Sequence, residues 1–329
     1  MIFCGVKCKV GTVSELSYYI SGVIQKSEAS VEIAKFLVCP KELLGFVDFY
    51  PFPTYPPIAA LGRGSTAICV SLQGNQALKV SRDQAALAIE REILNYLHLE
   101  AGEFSQLQIP KVFDYCSFST VVAPVCSHPS SSLSLVQYLK AWDALRKVHK
   151  FGICHCDVRM PNLGVIGKTQ NQTFYWIDWS SARPFRDIRL SNFSFQVGST
   201  CTASIPVLKR MLEKRNDYVC FPSDEGISMI YLCWQQHCRR GDLNIPRPPE
   251  VAIDMWNMEV EKFPPIVADA ITALEAIGQS YDDMSLGEVH GHVESALKAI
   301  VHSSSNDLPD ISDLTIIEHD GDESEGPCK

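Results

Sequence analysis

The pattern of apolar and polar positions divides the chain into a strand-rich part and a helix-rich part. Between residues 57 and 126, short apolar runs are separated by turn-forming residues. Beyond residue 126, apolar residues recur at the intervals of amphipathic helices. Strands followed by a run of helices predict an α+β fold. The predicted helices of the second part are 135–150, 205–214, 226–238, 250–261, 266–278 and 286–301.

The strand-rich part contains a glycine-rich segment and a lysine. In AALGRGSTAICVSLQGNQALKVS, residues 59–81, Gly62, Gly64 and Ala67 sit between two strand-like runs. A Gly-Asn turn then precedes the run that holds Lys79. Small residues let a backbone close over phosphates, and a lysine on a following strand can reach them. Taken alone, this G-x-G-x-x-A spacing is more often a plain glycine turn.

One helix is predicted within the strand-rich part, at 83–102. Its apolar residues recur at helical spacing, and Ser81 or Asp83 can cap its start. Glu90 lies beside the apolar stripe, where burial without a partner costs about 3–5 kcal/mol. Lys79 is therefore the expected partner of Glu90, with Glu92 as the alternative acid on this helix.

Residues 148–180, VHKFGICHCDVRMPNLGVIGKTQNQTFYWIDWS, contain a concentration of polar side chains. His155, Asp157, Arg159 and Asn162 fall within eight residues, and Asp178 follows a strand-like run. The pattern predicts a loop and a β-hairpin that bring two acids and an amide to one edge, as phosphoryl transfer requires. A histidine at such a helix-to-loop corner is more often a packing residue, so His155 is expected to brace the loop.

Charge is concentrated at the end of the chain. The formal charge of the 329 residues is −9, and residues 303–329 hold eight acids against one lysine. The remainder is close to neutral, which argues against nucleic-acid binding by the whole surface. An acidic, serine-containing segment is typical of disorder, so 303–329 is expected to be a disordered tail.

The cysteines indicate a reducing compartment. Thirteen cysteines are an odd number scattered along the chain, and the first residues carry no signal-like apolar region. We expect a soluble cytoplasmic or nuclear protein with free thiols, because no apolar run approaches the ~18 residues of a membrane span. The pairs Cys4/Cys8 and Cys233/Cys238 lack the spacing of structural zinc sites and are expected to be buried thiols.

The combination of these motifs resembles the eukaryotic protein kinase-like superfamily. LRKVHKFGICHCDVRMPNLGVI followed by YWIDWSSA is similar to its H-x-D-x-x-x-x-N catalytic loop and D-F-G metal-binding segment. The resemblance implies a two-lobed fold, with a small antiparallel β-sheet N-lobe at 57–126 and a mainly helical C-lobe at 127–302. Residues 1–56 are then an N-terminal extension of unclear role. Prolines at positions 51, 53, 56 and 57 mark its end.

The resemblance also implies roles for individual residues. Asp157 would accept the proton of the acceptor hydroxyl, and Arg159 would steady the transferred phosphoryl group. Asp224 resembles the aspartate that opens the central helix and anchors the backbone of the catalytic loop. The cofactors implied are ATP and Mg²⁺. The nucleotide would be covered by Gly62, Gly64 and Ala67 and contacted by Lys79 paired with Glu90, and the metal would be held by Asn162 and Asp178.

The chain departs from the family pattern at three places. Cys156 replaces an arginine, Trp179-Ser180 replaces Phe-Gly, and Ile205-Pro206 stands where a glutamate closes the activation loop in VGSTCTASIPVL. None of these changes removes a phosphate, metal or base group, so an active enzyme is expected. The wording of the motifs is most similar to divergent kinase-like proteins of fungi and to Crinkler-type effectors of oomycetes.

Three functions follow from the resemblance. The first is a Ser/Thr protein kinase, which would have a protein substrate as its partner. The second is a small-molecule kinase similar to those acting on choline or aminoglycosides, which share I-D-W but usually lack a cation at the position of Arg159. The third is a pseudokinase scaffold. The oligomeric state is not indicated by the sequence.

Overall fold

The computed structural model describes residues 4–8, 16–20, 57–63, 67–81, 83–102, 107–116, 119–129, 133–167, 172–186, 198–213, 219–238, 245–278 and 282–306. The strands are β1 (Cys4–Cys8), β2 (Leu16–Ile20), β3 (Pro57–Arg63), β4 (Ala67–Leu72), β5 (Gln76–Ser81), β6 (Lys111–Cys116), β7 (Ser119–Ala123), β8 (Ile153–Cys154), β9 (Leu163–Ile166), β10 (Thr173–Trp176) and β11 (Arg183–Pro184). The helices are α1 (Gln84–Ala101), α2 (Leu135–His149), α3 (Ile205–Leu212), α4 (Pro222–His237), α5 (Pro249–Val260), α6 (Pro265–Ile277) and α7 (Asp283–Asn306).

Within the described residues, strands β3 to β7 form a five-stranded antiparallel sheet in the order β3-β4-β5-β7-β6. The predicted Gly-Asn turn joins β4 to β5, and both of its residues have positive φ angles, 83° at Gly74 and 60° at Asn75. Lys79 lies in the central strand, opposite Cys69 on one side and Thr120 on the other. A side chain from the central strand is thereby held in register by two neighbouring strands.

Helix α1 packs against the sheet and follows the predicted amphipathic pattern. Of the two candidate caps, Asp83 occupies the N-cap, and its side chain accepts a hydrogen bond from the Ala86 N–H at 2.9 Å. Leu87, Ile93 and other apolar residues of the stripe are buried, and they carry Glu90 into the interior with them. The helix therefore delivers a carboxylate to the inner face of the sheet.

Helix α2 leads directly into residues 150–162. Ser134 and Gln137 form a capping box at its start, in which each side chain bonds the other's backbone N–H. After a short strand and a 3-10 turn at Met160–Asn162, β9 and β10 form the hairpin predicted for this stretch. The hairpin ends immediately before Asp178, so the two polar segments flank one small β-unit.

Most of the described chain beyond β10 is helical, and the predicted α+β class is confirmed. Each predicted helix is present with shifted ends; α4 begins at Pro222 rather than Gly226 because proline is favoured at the first helical position. The core contains the stacked rings of Tyr231 and Trp256, 3.7 Å apart. Helix α7 extends to Asn306, four residues into the segment assigned to the tail.

Two further predicted segments lie near the ends of the chain. Strands β1 and β2 pair antiparallel within 1–56, where the sequence shows no clear motif. Residues 307–329, the remainder of the expected tail at 303–329, lie outside the described residues. Among the helices of the described ranges, none has both the length and the apolar character that crossing a membrane requires.

Candidate functional site

A cleft of about 860 Å³ lies between the five-stranded sheet and residues 157–162. The site residues predicted from the sequence that line it are Ala67, Lys79, Glu90, Asp157, Arg159, Asn162 and Asp178. Gly62 lies on β3 opposite Cys69, at an irregularity in the strand register. Gly64 lies outside the described residues. Seven of the nine predicted site residues thus line one cleft.

Lys79 is the centre of a charged triad at the sheet side of the cleft. Its Nζ lies 2.8 Å from Glu90 Oε2 and 2.7 Å from Asp178 Oδ1. The predicted contact between Lys79 and Glu90 is therefore present, and Glu92 does not replace Glu90 in it. Burial disfavours the ammonium form, but the two carboxylates outweigh it and raise the pKa of Lys79 well above its usual value. The side chain is a permanent cation.

Asp178 is held in a single orientation by its neighbours. Burial alone would raise the pKa of Asp178, but Lys79 and a 2.7 Å hydrogen bond from the Ser180 hydroxyl hold it well below its usual value. Both contacts use Oδ1. No hydrogen bond between described residues uses Oδ2, so this oxygen is able to bind a cation. The residue has a left-handed backbone, with φ 64° and ψ 69°, a conformation that aspartate tolerates better than most residues.

The segment after Asp178 is fixed by Trp179. This side chain is fully buried, and its Nε1–H donates to the Trp176 carbonyl at 2.8 Å. The backbone N–H of Trp179 donates to Glu90 Oε1 at 3.2 Å, so Glu90 binds both Lys79 and the chain next to Asp178. The Trp-Ser pair that departs from the family pattern therefore serves as an anchor for this backbone.

Asp157 receives hydrogen bonds on both of its carboxylate oxygens. Oδ2 accepts from Asn162 Nδ2 at 2.7 Å and from Arg159 Nε at 3.0 Å. Oδ1 accepts from the backbone N–H of Ser199 at 2.9 Å. Asn162 also donates to the carbonyl of Asp157 at 2.9 Å, which closes the loop around the carboxylate. Because Asn162 uses its nitrogen for these bonds, its carbonyl oxygen is the group that can bind a cation.

His155 joins the two polar segments, as expected for a bracing residue. Its Nδ1 accepts the N–H of Asp157 at 3.3 Å, so its Nε2 carries the proton and donates to the Ile177 carbonyl at 3.0 Å. The ring is fully buried and meets Trp179 edge-on, with centroids 4.6 Å apart. The imidazole thereby sets the distance between Asp157 and Asp178.

The structure corrects the role predicted for Asp224. The residue that anchors the loop is Glu225: its Oε1 accepts the N–H of Cys156 at 2.6 Å, and its Oε2 bonds His149 Nε2 at 2.6 Å. Asp224 instead binds the Phe221 N–H at 3.0 Å and Arg210 Nη2 at 2.9 Å. Asp224 stands at the third position of α4, where a short acid turns back to cap the helix. Glu225 lies one residue further around the helix and points to the loop.

Pro222 was the sequence signal that could have separated these two acids. A proline at the first helical position sets the start of α4 and hence the capping position of Asp224. The bond from the Ser199 N–H to Asp157 has no such signal, because it depends on how two segments 42 residues apart meet.

Residues 198–204 pack closely on the loop that carries Asp157. A Cβ built on Gly198 would lie 1.9 Å from the Cys156 carbonyl oxygen, so only glycine fits there. Further along, the Thr202 hydroxyl donates to the Val158 carbonyl, and Ser204 caps α3 and binds Asp224. Residues 198–200 of this segment and the loop form one wall of the cleft.

Comparison of the chain with protein-family models and with curated proteins finds no match in either set.

Proposed function

We propose that the chain is an ATP- and Mg²⁺-dependent phosphotransferase with a two-lobed, protein kinase-like architecture, and that it acts as a Ser/Thr protein kinase. The observation that carries the proposal is the meeting of Lys79, Glu90 and Asp178 in a cleft that Asp157 and Asn162 also line. Lys79 and Asp178 are 99 residues apart in the chain, so this triad is made by the tertiary fold. A paired lysine, two acids and an amide around one cleft are the groups that phosphoryl transfer from ATP uses.

The sheet side of the cleft suits the nucleotide. Lys79 supplies a permanent positive charge for the phosphates, and Glu90 keeps its Nζ in place by a 2.8 Å ion pair. Ala67 and Cys69 lie on the strand that lines the cleft above the lysine, where their small side chains leave room for a ligand. This part of the site binds and orients the donor.

The residues present fit a magnesium ion. Asp178 offers Oδ2 and Asn162 offers its amide oxygen, and oxygen ligands of this kind are those that Mg²⁺ prefers. When bound, the ion would neutralise charge on the phosphate oxygens. The polar lining of the cleft contains both side chains, and His155 holds the segments that carry them in a fixed relation.

Asp157 is proposed as the general base. As the γ-phosphoryl group passes from ATP to the acceptor oxygen, the hydroxyl proton moves to the Asp157 carboxylate and ADP leaves. A positioned base of this kind contributes about 10²- to 10⁴-fold in rate. Arg159, whose Nε bonds Asp157 Oδ2 at 3.0 Å and whose side chain is one-third exposed, is placed to steady the transferred group.

A protein acceptor is favoured by the wall at residues 198–200. The Ser199 N–H bonds the base directly, and the Thr200 hydroxyl donates to the Arg247 carbonyl at 2.7 Å. This segment lies beside Asp157 and offers a surface along which an extended peptide can place a serine or threonine hydroxyl. A small alcohol would not need such a surface.

The test is phosphate transfer from labelled ATP in the presence of Mg²⁺, offered to a degenerate Ser/Thr peptide library and to a panel of small alcohols. We expect labelled peptides, with a loss of at least about 100-fold for Asp157→Asn. Asp269→Asn, an exposed acid on α6, is the matched control and should retain full turnover. Label on small alcohols alone would assign the chain to small-molecule kinases. Equal turnover for Asp157→Asn and wild type would remove the catalytic proposal and favour a pseudokinase.

A further inference from the structure

A cluster of thiols lies beneath the loop that carries Asp157, outside the cleft. Cys154 ends β8, Cys156 follows in the loop, and Cys220 lies two residues before helix α4. Cys154 and Cys220 belong to one buried cluster, and Cys156 packs against it. Three thiols from two distant segments are therefore brought together in the interior.

A carboxylate and an imidazole adjoin the sulfurs. The possible ligand atoms of Cys156, Cys220 and Glu225 all lie within 4.8 Å of one another, and so do those of His149, Cys154 and Glu225. Glu225 belongs to both groups and is 1% exposed, and His149 is fully buried. Buried cysteines by themselves are ordinary apolar packing residues, but a thiol cluster that shares a buried carboxylate is a set of metal donors.

We propose that Cys156, Cys220 and Glu225, joined by Cys154 from the adjoining group that shares Glu225, form a structural site for a zinc-class transition metal ion. Three thiolates and one carboxylate supply the four ligands of a tetrahedral site, and thiolates select zinc over magnesium and calcium. Zinc–sulfur bonds of about 2.3 Å bring ligand atoms to within about 4 Å of each other, which is compatible with separations of at most 4.8 Å within each group. The site is separate from the proposed magnesium site.

His149 completes the arrangement as the partner of the fourth ligand. Its Nε2 lies 2.6 Å from Glu225 Oε2, and such a hydrogen bond from a second residue orients a metal-bound carboxylate. The other oxygen of Glu225 accepts the N–H of Cys156, one residue before Asp157. A metal ion here would fix the backbone that positions Asp157, while touching neither acceptor nor nucleotide.

The experiment is titration of the full-length, metal-stripped protein with Co²⁺ in the presence of a phosphine reductant, followed by displacement with Zn²⁺. We expect one ion per chain and the thiolate-to-cobalt charge-transfer absorption of a tetrahedral sulfur site, which vanishes on zinc addition. Cys220→Ser should weaken binding by about 100-fold or more. Cys233→Ser is the matched control, because Cys233 is a fully buried thiol on α4 that belongs to neither ligand group.

Circular dichroism of each variant establishes that it is folded. If Cys220→Ser does not fold, Cys156→Ser tests the same ligand set from the half-buried side of the cluster and should weaken binding equally. Folded wild-type protein that takes up no cobalt or zinc would overturn the proposal, as would Cys220→Ser or Cys156→Ser binding as tightly as wild type. The readout is metal binding, so it is independent of the phosphotransferase proposal.

Discussion

The two sides of the cleft hold their functional groups by different physical means. On the sheet side, Lys79 is held by ion pairs with Glu90 at 2.8 Å and Asp178 at 2.7 Å. On the helical side, the carboxylate of Asp157 is held mainly by directed hydrogen bonds, and the backbone before it is anchored to the buried Glu225. One side is organised by charge and the other by packing and hydrogen-bond geometry.

This difference gives the two sides different sensitivities to pH. Asp178 has a lowered pKa, so its stabilising contribution is present above its ordinary value of 3.8 and is lost only as pH falls below it. Lys79 has a raised pKa, so its contribution is present below 10.5 and is lost only at more alkaline pH. The charge pattern of the sheet side is therefore constant over the whole neutral range. The helical side depends instead on buried groups that water cannot rescue when a partner is removed.

The largest expected effect is that of Glu225→Ala on the helical side. The substitution leaves His149 and the Cys156 N–H without their carboxylate partner in a buried position. We expect the free energy of unfolding to fall by about 3–5 kcal/mol, as for removal of one partner of a buried pair. Urea unfolding followed by circular dichroism measures it. Glu288→Ala, an exposed acid on α7, is the control and should change stability by less than about 0.5 kcal/mol.

An intermediate effect is expected for Gly198→Ala. A Cβ at this position would meet the Cys156 carbonyl oxygen at 1.9 Å, so residues 198–204 must move away from the loop. Overpacking of this kind costs about 1–3 kcal/mol, and turnover should fall as the Ser199 N–H leaves Asp157. Gly291→Ala is the matched control, because its Cβ would meet nothing within 4 Å on helix α7. The control should be neutral or stabilised by up to about 1 kcal/mol; equal melting temperatures for the two variants would contradict the close packing.

The smallest expected effect is an acid sensitivity confined to the helical side. Burial, helped by nearby His149, lowers the pKa of His290 from 6.5 to about 3, and its ring packs 4.9 Å from that of Trp142. Since the unfolded chain binds this proton more readily, stability is lost as pH falls below 6.5, by at most about 1.4 kcal/mol per pH unit. His290→Gln should therefore lose about 1 kcal/mol less than wild type between pH 7.5 and 5.5.

Urea titrations at the two pH values test this prediction. His292→Gln, at a half-buried histidine on the same helix, serves as the control and should follow wild type. An identical acid loss for His290→Gln and wild type would show that His290 is not the group responsible.

Sequence patterns were most informative where structure is local. The helix with Asp83 at its cap, the hairpin turn between β4 and β5, and the hairpin before Asp178 all follow from capping, turn and periodicity rules within a few residues. The partner of Glu90 was also predicted, because a buried carboxylate requires a cation and Lys79 lies on the preceding strand. The roles of these residues in phosphate transfer remain predictions.

Patterns were least informative where two segments meet. The acid that anchors the loop was predicted one residue too early, at Asp224, because both acids open the same helix and only their directions differ. The spacing of zinc sites was compared only with cysteines close in sequence, Cys4/Cys8 and Cys233/Cys238. The thiol cluster instead joins Cys220 to two cysteines more than sixty residues earlier. Spacing rules cannot detect ligands whose separation is set by the fold.

The sequence by itself determined the elements of this protein: an antiparallel sheet with one helix, a polar loop, a hairpin and a series of helices, each specified by local periodicity and capping. It also determined which side chains can act as acids, bases or ligands, because the sequence specifies the type of every residue. Only the tertiary structure decided which of them touch. The triad of Lys79, Glu90 and Asp178 and the anchor from Glu225 to Cys156 arise from core packing, which brings residues tens of positions apart within hydrogen-bond distance.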